Sequence, residues 1–444
     1  MQKALSRFNF DGSGLSILVH KIGDNKPLLE FNPEKARNPA SVIKMLTTLV
    51  ALEELGPAHA WRTEFYSDAD VVDGVLNGDL VIKGGGDPYL PLERLWLMVR
   101  QLRQTGLSDI AGSLILDQSA FAAIDEDPAA FDNRPLRAYN VVPAALLGNF
   151  NVSRLRFTPD ITTGQVQVEI DPPLPRLTID NQLRLKDKTC GGYNRGIALS
   201  SPQSGTVVLE GEYSSRCNTY TIGRSLIDHN RYFVAVFDAL WRAAGGQWSG
   251  EWREAAYRGD RDPLMVFHSP PLSKVMRLAN KHSNNVMTRM IFLSLGHEED
   301  VPANAQNARD SIDAWFMKRG IHAPELNVVN GAGSSRDVRV SANTLGHMLL
   351  HAWNSPFMPE FVASLSLGGY DGTLRKRYRN HSLAGRVHAK TGRLDHVIAL
   401  AGFVQTQNND RYIVVALHNA TDIHWGAGQA VQDALLSWVY RGVN

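Results

Sequence analysis

The chain has 444 residues, a length that predicts two or three domains. Apolar residues make up 43% and charged residues 20%, the proportions of an ordinary soluble globular protein, and the formal net charge of +1 provides no general attraction to nucleic acid or to an anionic membrane. No apolar run is long enough to span a bilayer. Residues 1–7 lack the apolar segment of a signal peptide, so we expect either a cytoplasmic protein or an exported one whose signal has been removed.

The first predicted elements are a hairpin and a helix. Strands at 15–20 and 27–31 are joined by a Gly-Asp-Asn turn, which is typical of a hairpin. A helix is predicted at 42–55, where Gly56 and Pro57 end it. The chain therefore enters its first helix directly from the hairpin.

A β-rich segment follows at 63–257, where one amphipathic helix at 92–104 interrupts many short strand-like runs. The rest of the chain is predicted as four helices, three strands and a final helix, at 272–281, 285–295, 308–319, 343–353, 387–391, 397–404, 412–417 and 428–440. One economical arrangement pairs the N-terminal hairpin with these three strands in one antiparallel sheet. The β-rich segment then projects from it as an insertion.

The start of the first helix carries the motif Ser41-x-x-Lys44, the only Ser-x-x-Lys in the chain. Residues three apart on a helix are neighbours, so the hydroxyl and the amine can meet where backbone N–H groups are free. These are the groups that a serine acyl-transfer nucleophile needs. The alternative is an exposed serine and lysine on an ordinary helix. The nearly all-apolar surroundings of Lys44 favour the first interpretation, since a lone cation there needs a reason.

Two further motifs follow in the second half of the chain. Ser283-x-Asn285 lies between two predicted helices, and Lys390-Thr391-Gly392 lies on a predicted strand. A second Ser-x-Asn at 341–343 is better interpreted as a helix N-cap. Ser-x-x-Lys, Ser-x-Asn and Lys-Thr-Gly in this order form the motif set of β-lactamases and penicillin-binding proteins.

The resemblance can be narrowed by three other stretches, at 78–88, at 330–336 with Ser341, and at 369–374. With them the chain resembles, over essentially its whole length, the three-domain D-alanyl-D-alanine carboxypeptidase/endopeptidases among the low-molecular-mass penicillin-binding proteins. The resemblance implies an α+β, multi-domain fold in which an antiparallel sheet flanked by helices forms a penicillin-binding transpeptidase-like core. The expected domains are a discontinuous catalytic domain, an inserted β-rich domain and a second domain nested in it, at 1–64 with 262–444, at 65–87 with 156–261, and at 88–155.

The resemblance also implies catalytic roles. Ser41 would attack the carbonyl of the penultimate D-alanine and expel the terminal one. Lys44 would be the general base, because burial and the nearby cation Lys390 would lower its pKa. Ser283 would relay a proton to the leaving amine, and Asn285 would hold the substrate amide and orient Lys44.

Substrate binding is expected at the Lys-Thr-Gly strand. Lys390 and Thr391 would bind the free α-carboxylate of the terminal D-alanine, and Gly392 would leave room for the substrate along the strand edge. The backbone N–H groups of Ser41 and Arg393 would form the oxyanion hole. Arg393 departs from the family, which more usually has a small Ser or Thr there, so it is expected to alter which side chains are accepted.

Two pairs outside these motifs are also candidates. Asp132 and Tyr139 fall where the family places a pocket for the diamino acid of the stem peptide; the alternative is a pair of solvated loop residues. Cys190 and Cys217 lie among predicted strands and are compatible with one disulfide and an oxidising compartment, or with two free thiols. The motif set requires no cofactor, and no Cys/His cluster has the spacing of metal ligands.

The expected function is therefore a serine D-alanyl-D-alanine carboxypeptidase, and also an endopeptidase, that acts on peptidoglycan stem peptides and is acylated by β-lactams. The resemblance implies a periplasmic or exported protein, with no nucleic-acid partner and with peripheral membrane contact left open. The alternatives are a β-lactamase or esterase on the same core, and an inactive relative that only binds peptidoglycan. An α/β-hydrolase is excluded because the chain has no Gly-x-Ser-x-Gly.

Overall fold

The computed structural model describes residues 12–191, 196–203, 205–298 and 301–442. Residues 1–7, where the sequence predicts no signal peptide, lie outside the described residues. The strands are β1 (Leu15–Lys21), β2 (Leu29–Phe31), β3 (Arg62–Tyr66), β4 (Val71–Val72), β5 (Val75–Leu76), β6 (Leu80–Gly84), β7 (Asp109–Ile110), β8 (Leu114–Asp117), β9 (Ser153–Asp160), β10 (Gln165–Asp171), β11 (Thr178–Lys186), β12 (Ile197–Gln203), β13 (Thr206–Ser214), β14 (Tyr220–Arg224), β15 (Gln247–Trp248), β16 (Trp252–Glu254), β17 (Met265–His268), β18 (Ser366–Leu367), β19 (Val387–Leu394), β20 (Val397–Gln405) and β21 (Arg411–Asn419). The α-helices are α1 (Lys44–Glu54), α2 (Leu92–Gln104), α3 (His229–Ala243), α4 (Leu272–His282), α5 (Asn285–Ser294), α6 (Ala305–Lys318), α7 (Ala342–Asn354), α8 (Met358–Ser364) and α9 (Ala427–Tyr440).

The chain forms two compact units, a first unit from residues 1–60 and 270–444 and a second unit from 61–269. The first unit contains a six-stranded sheet in the order β18-β19-β20-β21-β1-β2. Every neighbouring pair is antiparallel. This confirms the predicted sheet of the N-terminal hairpin and the three C-terminal strands. The structure adds one strand to the predicted sheet, β18. With two residues it is too short to show the alternating hydrophobic pattern by which strands are predicted.

Helices cover the sheet of the first unit. Along one side of α9 the residues Val431, Leu435 and Val439 are buried in one cluster with sheet residues such as Val387. The helix α1 packs against α4, α5, α6 and α7. Every residue of α1 from Lys44 to Leu52 is buried, which is why its sequence is apolar almost all round. The predicted α+β core, with helices flanking an antiparallel sheet, is confirmed.

The second unit has two hydrophobic cores. The first is built by β6, β8, α2 and α3, with Ile82, Leu95 and Phe233 among its buried residues. The second is built by strands between β9 and β14. The predicted nested domain at 88–155 stays a prediction. In this first core, α2 and β8 from that segment pack together with β6 and α3, which lie on either side of it in the chain.

The helix α3 was not predicted, since only one helix was expected in the β-rich segment. Its sequence is rich in aromatic and β-branched residues, which favour strands. Two features override that preference. Phe233, Phe237 and Trp241 are all buried and lie four residues apart, on one face of the helix. The Asp228 carboxylate caps the helix by accepting from the backbone N–H groups of Asn230 and Arg231 at 3.0 and 3.1 Å.

The second unit also holds the cysteine pair. Cys190 and Cys217 are joined by a disulfide, with their Cα atoms 5.0 Å apart. Among the helices that the structure describes, none is long and apolar enough to cross a membrane.

Candidate active site

Ser41 lies in a single 3₁₀ turn, Ala40–Ile43, that leads into α1. Lys44 is the first residue of α1, so the two motif residues lie one turn apart, with Lys44 Nζ 2.9 Å from Ser41 Oγ. The entry to this turn is tight: Ala40 has a φ of 46°, in the left-handed region, and its backbone N–H donates to Asn38 Oδ1 at 2.8 Å. The nucleophile candidate is therefore presented by a constrained turn.

Asn38 holds that turn to the rest of the first unit. Its backbone N–H donates to Asn419 Oδ1 at 2.7 Å, and the Asn419 amide donates back to the Asn38 carbonyl at 3.0 Å. The Asn38 amide also donates to the carbonyl of Ser335 at 3.0 Å. The sequence indicated only a helix start at Asn38-Pro39. Its reciprocal partner on the last strand is 381 residues away, which no local pattern reveals.

Lys44 is fully buried, and its amine faces three oxygens. Nζ lies 2.8 Å from Asn285 Oδ1, 2.9 Å from Ser41 Oγ, and within hydrogen-bond distance of the carbonyl of Ala332. Burial, and then the charge of Lys390, hold the pKa of Lys44 well below its usual range. A neutral amine has two N–H bonds and one lone pair. Because the amide and the carbonyl oxygens only accept, they take both N–H bonds and leave the lone pair directed at the Ser41 hydroxyl.

The carbonyl of Ala332 is supplied by the loop at 330–336. Asn330 Oδ1 accepts from the backbone N–H groups of Ala332 and Gly333 at 3.1 and 3.2 Å, which fixes the loop conformation. Gly333 has a φ of 81°, and a Cβ there would come 2.6 Å from the carbonyl carbon of Ala40. The sequence marked this stretch as part of a family pattern but gave it no role. The group that accepts from Lys44 is a backbone carbonyl, which any residue type provides, so the sequence does not reveal it.

Lys390 and Ser283 form a second buried pair. Lys390 is fully buried on β19 and donates to Ser283 Oγ at 2.8 Å and to the carbonyl of Thr391 at 2.8 Å. Burial lowers the pKa of Lys390 to about 7. Ser283 itself has a φ of 54° between α4 and α5, and the Asn284 side chain caps α5 by accepting from the backbone N–H of Met287 at 3.0 Å. These contacts fix the Ser-x-Asn loop.

Thr391 has a partner that the sequence did not reveal. Its hydroxyl donates to Thr373 Oγ1 at 2.8 Å, and the backbone N–H of Thr373 donates to Ser366 Oγ at 3.1 Å. Thr373 belongs to the 369–374 stretch that carried the resemblance. A pair of hydroxyls beside a lysine amine can bind a carboxylate.

Gly392 lies where β19 approaches the nucleophile turn. A Cβ at this position would come 3.0 Å from the Ala40 Cβ and 3.1 Å from the backbone nitrogen of Ser41, and closer still to the carbonyl oxygen of Pro39. The predicted reason for this glycine was room for the substrate, which stays a prediction. The structure gives a different reason: the absent side chain lets the strand lie directly against the turn that carries Ser41.

A histidine pair near the end of β19 has the spacing of a metal site. The candidate ligand atoms of His396, Asp422 and His424 lie within 4.8 Å of one another. However, the backbone N–H of His396 donates to His424 Nδ1 at 2.9 Å, and the backbone N–H of Asp422 donates to His396 Nδ1 at 3.0 Å. A neutral imidazole has one lone pair on its ring nitrogens, and each ring already uses it for a backbone N–H. The cluster fits a hydrogen-bonded cap of the β19–β20 hairpin rather than a metal site.

The family of the chain follows from a comparison of its sequence with known protein families. Residues 1–441 match the model of the D-Ala-D-Ala carboxypeptidase 3 (S13) family. The chain is a member of the S13 family. The predicted family is thereby confirmed, and the protein is a serine-type peptidase.

Several similar proteins align with nearly the whole chain. The D-alanyl-D-alanine carboxypeptidase DacB of Haemophilus influenzae is 22% identical over 92% of this chain and 86% of its own. The crystal structure of penicillin binding protein 4 (dacB) from the same organism matches with a TM-score of 0.84 at 20% identity, over 98% and 99% of the two chains, and the protein has also been solved complexed with a β-lactam. A penicillin G-acylated predatory endopeptidase from Bdellovibrio bacteriovorus, in complex with an immunity protein, matches with a TM-score of 0.56 at 15% identity, over 96% of this chain and 91% of its own. At these identities the structural likeness shows the shared fold.

Arg393 is the departure from the S13 pattern. It is exposed, and its guanidinium lies 6.0 Å from the centre of the Trp425 ring. Trp425 is 73% exposed. An oxyanion-hole role for the backbone of Arg393 stays a prediction.

The remaining predicted pair, Asp132 and Tyr139, lies in the second unit of the S13 chain. The structure brings the two together: the Tyr139 hydroxyl donates to Asp132 Oδ2 at 2.7 Å, and the Asn140 amide donates to Asp132 Oδ1 at 2.7 Å. Burial and the adjacent carboxylate raise the pKa of Tyr139. Their role in a stem-peptide pocket stays a prediction.

Proposed function

We propose that this S13 peptidase releases the terminal D-alanine of peptidoglycan stem peptides through an acyl-enzyme on Ser41. The observation that carries the proposal is the environment of Lys44. The amine is buried, its two N–H bonds are taken by fixed oxygens, and its lone pair is left for the Ser41 hydroxyl. This is a serine beside a base whose pKa is held well below its usual range, so that the neutral, proton-accepting form is favoured.

In the first half of the reaction Lys44 takes the Ser41 proton while Oγ bonds to the carbonyl carbon of the penultimate D-alanine. The backbone N–H groups of Ser41 and Arg393 stabilise the negative charge that develops on the carbonyl oxygen. The C–N bond then breaks, and the proton passes through Ser283 to the nitrogen of the leaving D-alanine. In the second half, water attacks the ester, which restores the Ser41 hydroxyl and frees the shortened stem peptide.

Lys390 and Thr391 bind the α-carboxylate of the departing D-alanine. The pKa of Lys390 is lowered to about 7 by burial, so a bound carboxylate raises it again and keeps the amine charged. That charge is the second cause of the low pKa of Lys44. Substrate binding therefore favours the neutral form of the base. Asn285, which accepts from Lys44 at 2.8 Å, orients the amine and holds the substrate amide.

The proposal extends to β-lactam acylation, to endopeptidase activity, to the stem diamino acid and to the location of the protein. A β-lactam presents a strained amide and a carboxylate to the same groups, so it acylates Ser41. A cross-linked stem provides a chain end of similar chemistry, which supports an accompanying endopeptidase activity. Asp132, whose two oxygens each accept from a neutral donor, is a fixed anion suited to the ammonium of a stem diamino acid. The substrate and the disulfide support an exported location.

The function is tested by D-alanine release from a short acyl-D-alanyl-D-alanine peptide. Wild-type protein is expected to release D-alanine with many turnovers and to turn over a chromogenic β-lactam slowly, because the acyl-enzyme persists. The reverse result, fast β-lactam turnover with little D-alanine, would establish a β-lactamase instead. Activity toward neither would favour an inactive binding relative.

The rate of D-alanine release is expected first to rise and then to fall as the pH increases. Activity rises with pH as Lys44 loses its proton and becomes a base. It falls as pH rises through the pKa of Lys390, about 7 in the free enzyme, because the uncharged amine no longer binds the carboxylate. In kcat/KM, which reports the free enzyme, we expect the descending limb near neutral pH. Lys390→Arg keeps a permanent charge and is expected to abolish that limb, at a lower rate. A descending limb that persists in this variant would contradict the assignment.

A further inference from the structure

Three exposed cations lie within five residues of one another in the first unit. Arg375, Lys376 and Arg379, here called the basic segment, are all exposed, in a chain whose formal net charge is only +1. Within the part of the chain that the structure describes, none of the three forms an ion pair. The basic segment is therefore a local concentration of positive charge that has no acidic partner among the residues that the structure describes.

The basic segment is held in a fixed shape. Between its cations, Arg377 reaches Asp433 on α9 with Nε and Nη2 at 2.8 and 2.7 Å, and the Tyr378 hydroxyl donates to the same carboxylate at 2.6 Å. Tyr378 has a φ of 74°, a conformation that is an outlier for a bulky residue and persists only where its surroundings enforce it. The buried anchor turns the three other cations outward.

The basic segment borders the carboxylate-binding strand. It begins directly after the 3₁₀ turn Gly372–Leu374. Thr373 in that turn accepts from the Thr391 hydroxyl at 2.8 Å. Since consecutive Cα atoms are about 3.8 Å apart, the Cα of Arg375 lies within about 8 Å of that of Thr373. The basic segment thus begins close to the proposed carboxylate site, where further carboxylates of the same substrate would arrive.

We propose that the basic segment binds the polyanionic peptidoglycan polymer next to the stem that is being cleaved. This rests on the proposed function, in which the substrate is a stem carried on that polymer. Each uncleaved neighbouring stem ends in a carboxylate, so the polymer presents a row of anions and a short soluble peptide presents one. Contacts to several stems add up by raising the effective concentration of the next one. An anionic membrane is a poorer partner: between Asp371 and Arg386, all described, no large apolar side chain is exposed, and Tyr370 just before this range, 64% exposed, is a single amphipathic ring rather than an apolar face that could enter a bilayer.

The test is binding to purified sacculi with pentapeptide stems, measured by co-sedimentation in a Ser41→Ala background so that nothing is cleaved. The variant removes the three charges as Arg375→Gln, Lys376→Gln and Arg379→Gln. The matched control removes three exposed cations elsewhere on the first unit, as Lys26→Gln, Lys35→Gln and Lys318→Gln. At low ionic strength the variant is expected to bind about tenfold more weakly than the control, and the difference is expected to disappear in about 0.5 M salt.

Two further measurements separate the explanations. With Ser41 intact, the variant should release D-alanine from the short peptide at the wild-type rate, since none of its three residues is in the site; an equal loss there would overturn the inference. Vesicles of anionic phospholipid should show no difference between variant and control. Equal binding of variant and control to sacculi, or a loss confined to the vesicles, would also overturn it. Because co-sedimentation needs no turnover, failure of D-alanine release by the wild type would reject only the proposed function.

Discussion

Replacing Lys44 by methionine is expected to slow acylation of Ser41 by a labelled penicillin by about 10³-fold or more. Methionine fills the buried space but has no lone pair on nitrogen to take the Ser41 proton. The fold should persist, because the change replaces a buried amine by an apolar side chain of similar length in a helix that is buried from Lys44 to Leu52. The Asn285 and Ala332 oxygens lose a donor, so a modest fall in the thermal unfolding temperature is expected as well.

The control for this variant is Leu46→Met in the same helix, a volume-conserving change of a fully buried residue. It should acylate at the wild-type rate. If Lys44→Met acylates within tenfold of this control, the general base is another group.

The second large effect is expected from Gly392→Ala. The added methyl would come 3.1 Å from the backbone nitrogen of Ser41 and 3.0 Å from the Ala40 Cβ, so either β19 or the nucleophile turn must shift. A shift of that kind misaligns Ser41 with its oxyanion donors, and we expect acylation to fall by about 10²-fold. The same clash, which is closest at the backbone carbonyl of Pro39, should also lower the unfolding temperature.

Gly191→Ala makes the same chemical change at a position where a Cβ would meet nothing within 4 Å. This control should acylate normally. Full acylation by Gly392→Ala would show that the close approach of β19 to the turn is not required, and would leave space for the substrate as the reason for the glycine.

The sequence revealed the parts of the site that depend on residue type and local spacing. Ser41 and Lys44 are one helical turn apart, and an i, i+3 pair meets whatever the rest of the fold does. The strands of the sheet could also be predicted from the sequence, since they are long apolar runs, such as 397–404, between clear turns. Ser341 was predicted as an N-cap, and its Oγ accepts from the backbone N–H of Thr344 at 2.9 Å, which confirms the prediction.

What the sequence could not reveal depends on contacts between distant segments. The carbonyl of Ala332 that takes one N–H of Lys44 is a backbone atom, which any residue type provides. Asn38 and Asn419 pair only because β21 lies beside the nucleophile turn in the fold. The helix α3 was missed because its aromatic residues favour strands until tertiary packing gives them a helical face to bury.

The central claim, that Ser41 is the acylated nucleophile, is tested most directly by peptide mapping after reaction with a penicillin. Mass spectrometry is expected to find the added mass of one opened penicillin on the peptide that contains Ser41, and no adduct on any peptide of Ser41→Ala. An adduct that persists in Ser41→Ala, or one that maps to Ser283, would contradict the account.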